Sequence, residues 1–273
     1  MNRYRSFIIA SVLCFYASLS YAASIGNPIK PVGHLKFAVG TEANFVLDRE
    51  LELTGETTSG ASFNEFELSK VTEGYTKLIL GITDYVNVFM RLGATKINGL
   101  EIKLSSGEDI SIETDSTFSY AFGANAVYQI HSDELHFIDL DNNFIYFIGL
   151  GGEFSFFDAD ATELYVSGLN VTNTSGQIES TQYQINIFSG IEFILDENCS
   201  LIPYIGGFWD GLNLKTGKIT YSSNDHISFD AKADDQFGFA VGLDVKLSDN
   251  VGVNIEAKFL GAQVMSAGGI IKF

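Results

Sequence analysis

Cysteine, proline, basic residues and long apolar runs are all scarce in this chain. The 2 cysteines are Cys14 and Cys199. Leu13 precedes Cys14 where a lipoprotein signal would carry a small residue. Cys199 alone can supply neither an internal disulfide nor a thiolate zinc cage. Of the 3 prolines, Pro203 falls near the start of a strand-like segment, where a missing N–H is tolerated. Lys and Arg number 16 against 34 Asp and Glu, and setting Arg3 and Arg5 aside moves the formal charge from −18 to −20. Such an acidic chain does not bind nucleic acid through a basic patch. The one long apolar run is Phe7 to Leu19, behind Arg3 and Arg5 and before Ser20-Tyr21-Ala22. That layout is a secretory signal peptide, too short to span a bilayer, so residues 1–22 are expected to be removed. No later run approaches the ~18 residues of a membrane helix, which excludes a helical membrane protein.

What the chain does have is aromatics, glycine and alternation. It holds 23 Phe, 12 Tyr and 27 Gly. Apolar and polar residues alternate with period two in ten segments: 34–47, 70–82, 85–97, 115–130, 143–157, 181–195, 200–214, 236–247, 251–259 and 263–273. In 85–97, Val86, Val88, Met90 and Leu92 oppose Asn87, Phe89, Arg91 and Gly93. In 181–195, Tyr183, Ile185, Ile187 and Ile191 oppose Gln182, Gln184, Asn186 and Glu192. Only a strand sorts residues so; a helix would scatter the charges around its circumference. The reading is all-β, an antiparallel up-and-down transmembrane barrel of about ten strands, with eight or twelve as alternatives. Residues 23–33 form a periplasmic N-terminal segment and 34–273 the barrel.

Three features turn the polar face inward. Long polar connections (48–69, 98–114, 158–180, 215–235) alternate with tight ones (83–84, 196–199, 248–250), as long outer loops and short periplasmic turns do. The polar face carries Lys36, Lys77, Arg91, Lys246, Lys258 and Lys272 against Glu42, Glu73, Glu153, Glu192, Asp244 and Glu256. Six cations meeting six anions suit a narrow interior, where unpaired charge is costly. Tyr85, Tyr128, Tyr146, Tyr183, Phe118 and Trp209 sit near strand ends, as membrane-interface girdles do.

The C-terminal run SAGGIIKF, ending on Phe273 with Ile271 and Gly269 alternating before it, resembles the assembly signal of bacterial outer-membrane barrels. The segments 78–94 (LILGITDYVNVFMRLGA) and 201–210 (LIPYIGGFWD) resemble opacity-type and OmpA-like porin-family barrels. The penultimate pair Ile271-Lys272 departs from that pattern by lacking an aromatic. The resemblance covers most of the mature chain and implies architecture rather than activity. It implies a bacterial outer-membrane location, with outer-membrane lipid, lipopolysaccharide and the barrel-assembly machinery as partners.

Chemistry-bearing constellations are few. His226 and Ser228 share a face of a predicted loop, and outer-membrane phospholipases use a His-x-Ser arrangement; nothing in a loop fixes the base that a serine nucleophile needs. Asp225 and His226 resemble the acid–His pairs of ten-stranded outer-membrane proteases, but adjacent strand residues point to opposite faces. His131, Asp133, Glu134, His136, Asp139 and Asp141 crowd one turn, where a solvated acidic turn explains the composition without a metal. The acidic outer loops are candidate contacts for divalent cations bridging to lipid phosphates. No cofactor is implied. The expected function is a non-enzymatic barrel, structural or narrow-pored, constricted by inward Phe89, Phe147 and Phe188. The alternatives are a surface adhesin or receptor acting through its loops, and an outer-membrane hydrolase.

Overall fold

The computed structural model describes residues 31–54, 63–105, 107–131, 144–171, 174–220, 226–234 and 236–273. The signal peptide, most of the 23–33 segment, Asp225, and Asp133, Glu134, His136, Asp139 and Asp141 lie outside the described residues.

The described strands are β1 (Phe37–Asp48), β2 (Leu51–Leu53), β3 (Phe63–Gly81), β4 (Val86–Leu104), β5 (Asp109–Thr114), β6 (Thr117–His131), β7 (Phe144–Val166), β8 (Leu169–Val171), β9 (Gln177–Ile194), β10 (Ser200–Thr216), β11 (Ile219–Thr220), β12 (His226–Ile227), β13 (Asp230–Ala233), β14 (Phe237–Lys246), β15 (Val251–Phe259) and β16 (Gln263–Lys272). Ten of them close a ring by antiparallel pairing, in the order β1, β3, β4, β6, β7, β9, β10, β14, β15, β16 and back to β1. These ten correspond to the ten alternating segments of the sequence. The ring leaves no unpaired strand edge around its circumference.

At the end where β1 begins and β16 finishes, called the terminal end, side chains write the turns. Thr83 Oγ1 accepts from the amides of Tyr85 and Val86 at 3.1 and 3.0 Å. Asp196 Oδ1 accepts from Asn198 and Cys199 at 2.8 Å each. Ser248 Oγ accepts from Asn250 at 3.3 Å and Val251 at 3.1 Å. In each case a short polar side chain replaces a backbone acceptor two and three residues along, which reverses the chain tightly.

The greasy residues look outward. Phe37, Leu80, Phe122, Leu150, Ile187, Ile205 and Ile255 are exposed, while Arg91, Glu42, Glu256 and Lys258 are buried. Two aromatic tiers bound this outward band. Near the terminal end are Tyr85 against Tyr128, Phe144 against Tyr146, and Phe37 stacked on Phe273 at 4.9 Å. A distal chain of ring contacts runs through Phe118, Tyr120, Phe156, Phe122, Phe154, Tyr183, Trp209 and Phe237. Trp209 lies nine steps from the terminal end of β10 and Tyr183 eleven from that of β9. At about 3.3 Å per residue and a tilt of about 40°, ten steps rise about 25 Å, the height of a bilayer's apolar band.

Beyond the distal tier the architecture changes. The long connections read as polar loops are largely strand: β3, β4, β7, β9 and β10 run on past the band, and β5, β13 and β2 join them. A second ring forms, β3-β4-β5-β7-β9-β10-β13-β2. It closes from β2 back to β3 through the bridge Glu50↔Glu67 and the Leu68 amide donating to the Arg49 carbonyl at 2.9 Å. Every one of its eight staves contributes to a buried apolar cluster, among them Leu51, Leu68, Leu100, Ile112, Leu164, Ile178, Leu214 and Ala231. The sequence reading stopped these strands too early because their pattern inverts: the inward face turns apolar as the outward face turns acidic.

Candidate functional site

Among the described residues, buried charge is concentrated in the interior of the membrane section. Arg91, on the inward face of β4, donates through Nη1 to Glu42 Oε1 on β1 at 2.6 Å and through Nη2 to Glu153 on β7. Its guanidinium lies 4.5 Å over the Tyr75 ring of β3. Lys77 Nζ stands 3.5 Å from Glu42 and 4.4 Å over Phe89. On the opposite wall Lys258 donates to Gln184 and lies 4.7 Å over the Phe208 ring. Strand alternation explains the convergence: Arg91 pairs in register with Lys77, and both share a face with Tyr75 and Phe89. Burying these cations over aromatic faces and between carboxylates offsets part of their lost hydration.

The interior does not match the balance read from the sequence. Lys36 is exposed, because β1 begins at Phe37 and residues 34–36 form a turn with Leu35 in the left-handed region (φ 54°). Lys246 is only half-buried and pairs with Asp249 in the adjoining turn at 2.6 Å, so it belongs to the rim. Two polar partners that the sequence reading did not join replace them. Arg49, placed in a connection by that reading, reaches Asp210 on β10 at 2.8 Å, with side-chain exposures of 4% and 3%. Among the described residues four buried cations (Arg49, Lys77, Arg91, Lys258) thus face seven interior carboxylates (Glu42, Glu73, Glu153, Glu192, Asp210, Asp244, Glu256).

Neutral donors stand where the missing cations were expected. Asn44 Nδ2 donates to Glu73 at 2.5 Å, Ser200 to Glu192 at 2.6 Å, Tyr204 to Glu256 at 2.6 Å, and Asn254 to Asp244. A carboxylate is acceptor-only when ionised, so amides and hydroxyls can serve it as well as ammonium groups do. A count of charges alone passes over these residues, although alternation puts Asn44, Tyr204 and Asn254 on inward positions.

Apolar groups fill the rest of the interior. Phe147 and Phe188 are buried with Val127, Ile202, Tyr204, Phe208 and Ala240. Glycines make room for the rings: a Cβ on Gly149 would lie 2.2 Å from Phe188, and one on Gly242 would lie 2.2 Å from Tyr204. At the terminal end Val32 tucks back inside against Ala38, Ile79 and Ile270, its amide donating to Asn87 Oδ1 at 3.0 Å. Gly81 faces the Gly33 carbonyl so closely that a Cβ there would stand 1.9 Å from its oxygen.

The remaining candidates fall elsewhere. Ile227 is buried in the distal apolar cluster, and Ser228 Oγ donates to the Thr216 carbonyl at 3.4 Å. His131 is exposed at the end of β6. His34 is exposed, its Nδ1 2.8 Å from the Ile82 carbonyl. Among the described residues no three His, Cys, Asp or Glu side chains gather as metal ligands would. Ile271 and Phe273 point outward at the seam of β16 with β1, Gly269 lies on the same face, and the Phe273 amide donates to the Phe37 carbonyl at 2.9 Å. In the distal section, the Tyr165 hydroxyl donates to Glu163, which holds its phenol above the ordinary tyrosine range.

A closed antiparallel ring, an outward apolar band between aromatic tiers and a polar, ion-paired interior define a transmembrane β-barrel of the outer-membrane type. The sequence matches no protein-family model, and no curated protein matches it either. Solved structures similar in shape include the outer-membrane protease OmpT of Escherichia coli, at 8% identity over 87% of this chain and 94% of that one, with a TM-score of 0.45. The translocator domain of the autotransporter NalP of Neisseria meningitidis is 8% identical over 100% and 98%, with a TM-score of 0.41. The outer-membrane protein OprG of Pseudomonas aeruginosa is 12% identical over 89% and 99%, with a TM-score of 0.38. These likenesses are distant and decide nothing about activity; the class rests on the geometry.

Proposed function

We propose that this chain is a sealed, non-enzymatic barrel of the bacterial outer membrane that holds a rigid β-built section above the cell surface. One observation carries the reading: the strands that cross the membrane continue into a second ring whose centre is packed with buried Leu, Ile, Phe and Ala side chains. A water-filled channel needs a polar bore, and protein interiors packed in this way leave few voids larger than a water molecule. Both termini then lie on the periplasmic side and the second ring faces outward. The partners this reading implies are outer-membrane lipid and lipopolysaccharide along the apolar band, divalent cations at the acidic outer surface, and the assembly machinery at Phe273.

Planar-bilayer recording of the refolded monomer tests it. The expected record is a flat baseline; a large, steady conductance overturns the sealed barrel and restores the narrow pore. The structured outer section favours a second reading, a surface receptor or adhesin. Replacing β2 and β13 by short linkers should then abolish binding to cells or matrix while the membrane section stays folded. The hydrolase reading is tested by His226→Ala and Ser228→Ala on phospholipid and peptide substrates, where loss of a measured activity would revive it.

A further inference from the structure

Among the described residues, seven of the eight contacts around the distal ring are ladders of several residue pairs, and the contact between β2 and β3 rests on one bridge, Glu50↔Glu67. The Leu68 amide donating to the Arg49 carbonyl is its neighbouring backbone bond. The side chains directly opposite Glu67 at this thin seam are carboxylates, and Lys232 of β13 is engaged by Glu52 at 3.0 Å. Glu67 stands opposite Glu50 across the seam and opposite Glu101 on its other flank. Asp48, at the end of β1, is a further carboxylate close to Glu67, and Glu65 follows on the same face of β3. Directly opposed like charges on neighbouring strands push the strands apart.

We propose that the β2–β3 seam is a pH-sensitive closure of the distal section, held shut when Glu67 carries a proton and loosened when the Glu50, Glu67, Asp48 and Glu101 carboxylates are all charged. The groups facing Glu67 from each packed element are known. Asp48 comes from β1, Glu50 from the start of the β2 segment, Glu65 from β3, and Glu101 from β4. Lys103 on β4 is engaged by Glu65 at 2.6 Å, and Ser69 donates to Glu101 at 2.7 Å. Arg49 does not relieve the cluster, because its side chain turns inward to Asp210. Glu67 lies outside the membrane-spanning band. Partial burial, followed by the charges of Asp48, Glu101 and Glu65, raises its pKa above the ordinary glutamate range. An acid whose pKa is raised in the closed state binds protons more tightly there than when the seam is open. The closed seam is therefore favoured at low pH, and that advantage is lost as pH rises through the raised pKa.

Loosening would part β2 from β3, leave β2 on its ladder with β13, and expose Leu51, which is now 7% exposed against the distal core. Such an opening changes which surface a binding partner meets without breaching the membrane section.

Hydrogen exchange on the full folded chain in detergent reads this directly at the Leu68 amide. Its protection factor should fall roughly threefold as pH rises from about 4, near the ordinary glutamate value, to about 8, the effect expected of one like-charged cross-strand pair. Glu67→Gln should hold protection at the acid level throughout. Glu50→Lys, which sets a cation opposite Glu67, should raise protection at the alkaline end. A Leu68 protection factor that does not change with pH, or a Glu67→Gln variant that keeps the wild-type slope, overturns the proposal.

Discussion

The strand β9 carries two opposite proteins along its length. From Tyr183 to Phe193 its outward positions are Tyr183, Ile185, Ile187, Ile191 and Phe193, interrupted only by Ser189, while Gln184, Asn186 and Glu192 face in. Below residue 183 the rule reverses: Ile178 is fully buried and Glu179 is exposed. The alternation never slips, since the register with β7 is continuous from Ile178 to Phe193. Only the solvent on each side changes. In hydrocarbon the outward residue must be apolar, and the interior can hold ions because it is small enough to pair them. In water the outward residue must be polar, and the ring holds together only if its centre is greasy. A single backbone geometry therefore supports two cores of inverse polarity, and the sequence switches between them across the four polar residues Glu179, Ser180, Thr181 and Gln182.

The contrast is broken most severely by attacking the ion pairs. Arg91→Ala leaves Glu42 and Glu153 facing each other without their common cation. Stranding a buried charge in this way costs about 3–5 kcal/mol. Urea unfolding of the detergent-folded barrel should show that loss, and Arg91→Lys should recover only part of it, because one ammonium cannot serve both carboxylates as the two Nη groups do. An Arg91→Ala barrel as stable as wild type would mean that the interior is wet enough to solvate both carboxylates.

The matching attack on the other core is Ile112→Ala, at a fully buried position of β5. Truncating a buried isoleucine costs about 2–5 kcal/mol. Here the loss should be local. Amide protection in β2, β5 and β13 should drop, while amide protection in the membrane section stays at its wild-type level. Joint collapse of both sections would show that the shared strands β3, β4, β7, β9 and β10 fold as one unit.

How much of this was legible beforehand follows from the same inversion. The ten membrane strands could be read because one solvent acts on each face throughout, so that Val86, Val88, Met90 and Leu92 all vote alike. The distal extensions could not, since Ile97, Leu100 and Ile102 carry the apolar signal onto the inward face, shifted across the irregular register around Ser69 and Lys70. Seen from the membrane section, Glu101 and Lys103 look like loop residues. The interior charges were legible by parity, as for Arg91 and Glu42. Their partners were not, because Arg49 and Asp210 are 161 residues apart and Arg49 lies beyond the bulge between Val46 and Asp48. Lys36 was misplaced for the opposite reason: alternation was extended past the point where the chain turns. The narrower likeness to opacity-type barrels stays a resemblance of segments.

A single substitution placed on either side of the switch tests it within one strand. Ile187 is 56% exposed in the middle of the apolar band. Ile187→Arg should cost about 2–4 kcal/mol in a bilayer, falling as the site is moved toward either aromatic tier. Refolding into lipid vesicles with equilibrium denaturation measures it, and a neutral outcome would place that face against protein or water instead of lipid.

Eight positions away on the same outward face, the corresponding change should be tolerated. Glu179 stands between Asp158 of β7 and Lys215 of β10, and all three project from the distal section into water. A like pair in register repels and an opposite pair attracts, each by about 0.2–1 kcal/mol. Glu179→Lys exchanges one for the other on each side, so its net effect should stay within about 0.5 kcal/mol, and added salt should shrink even that by screening it. The contrast is the informative part. A lysine tolerated at position 179 and an arginine that destabilises at 187 would fix the level at which water gives way to lipid between them, near the ring of Tyr183.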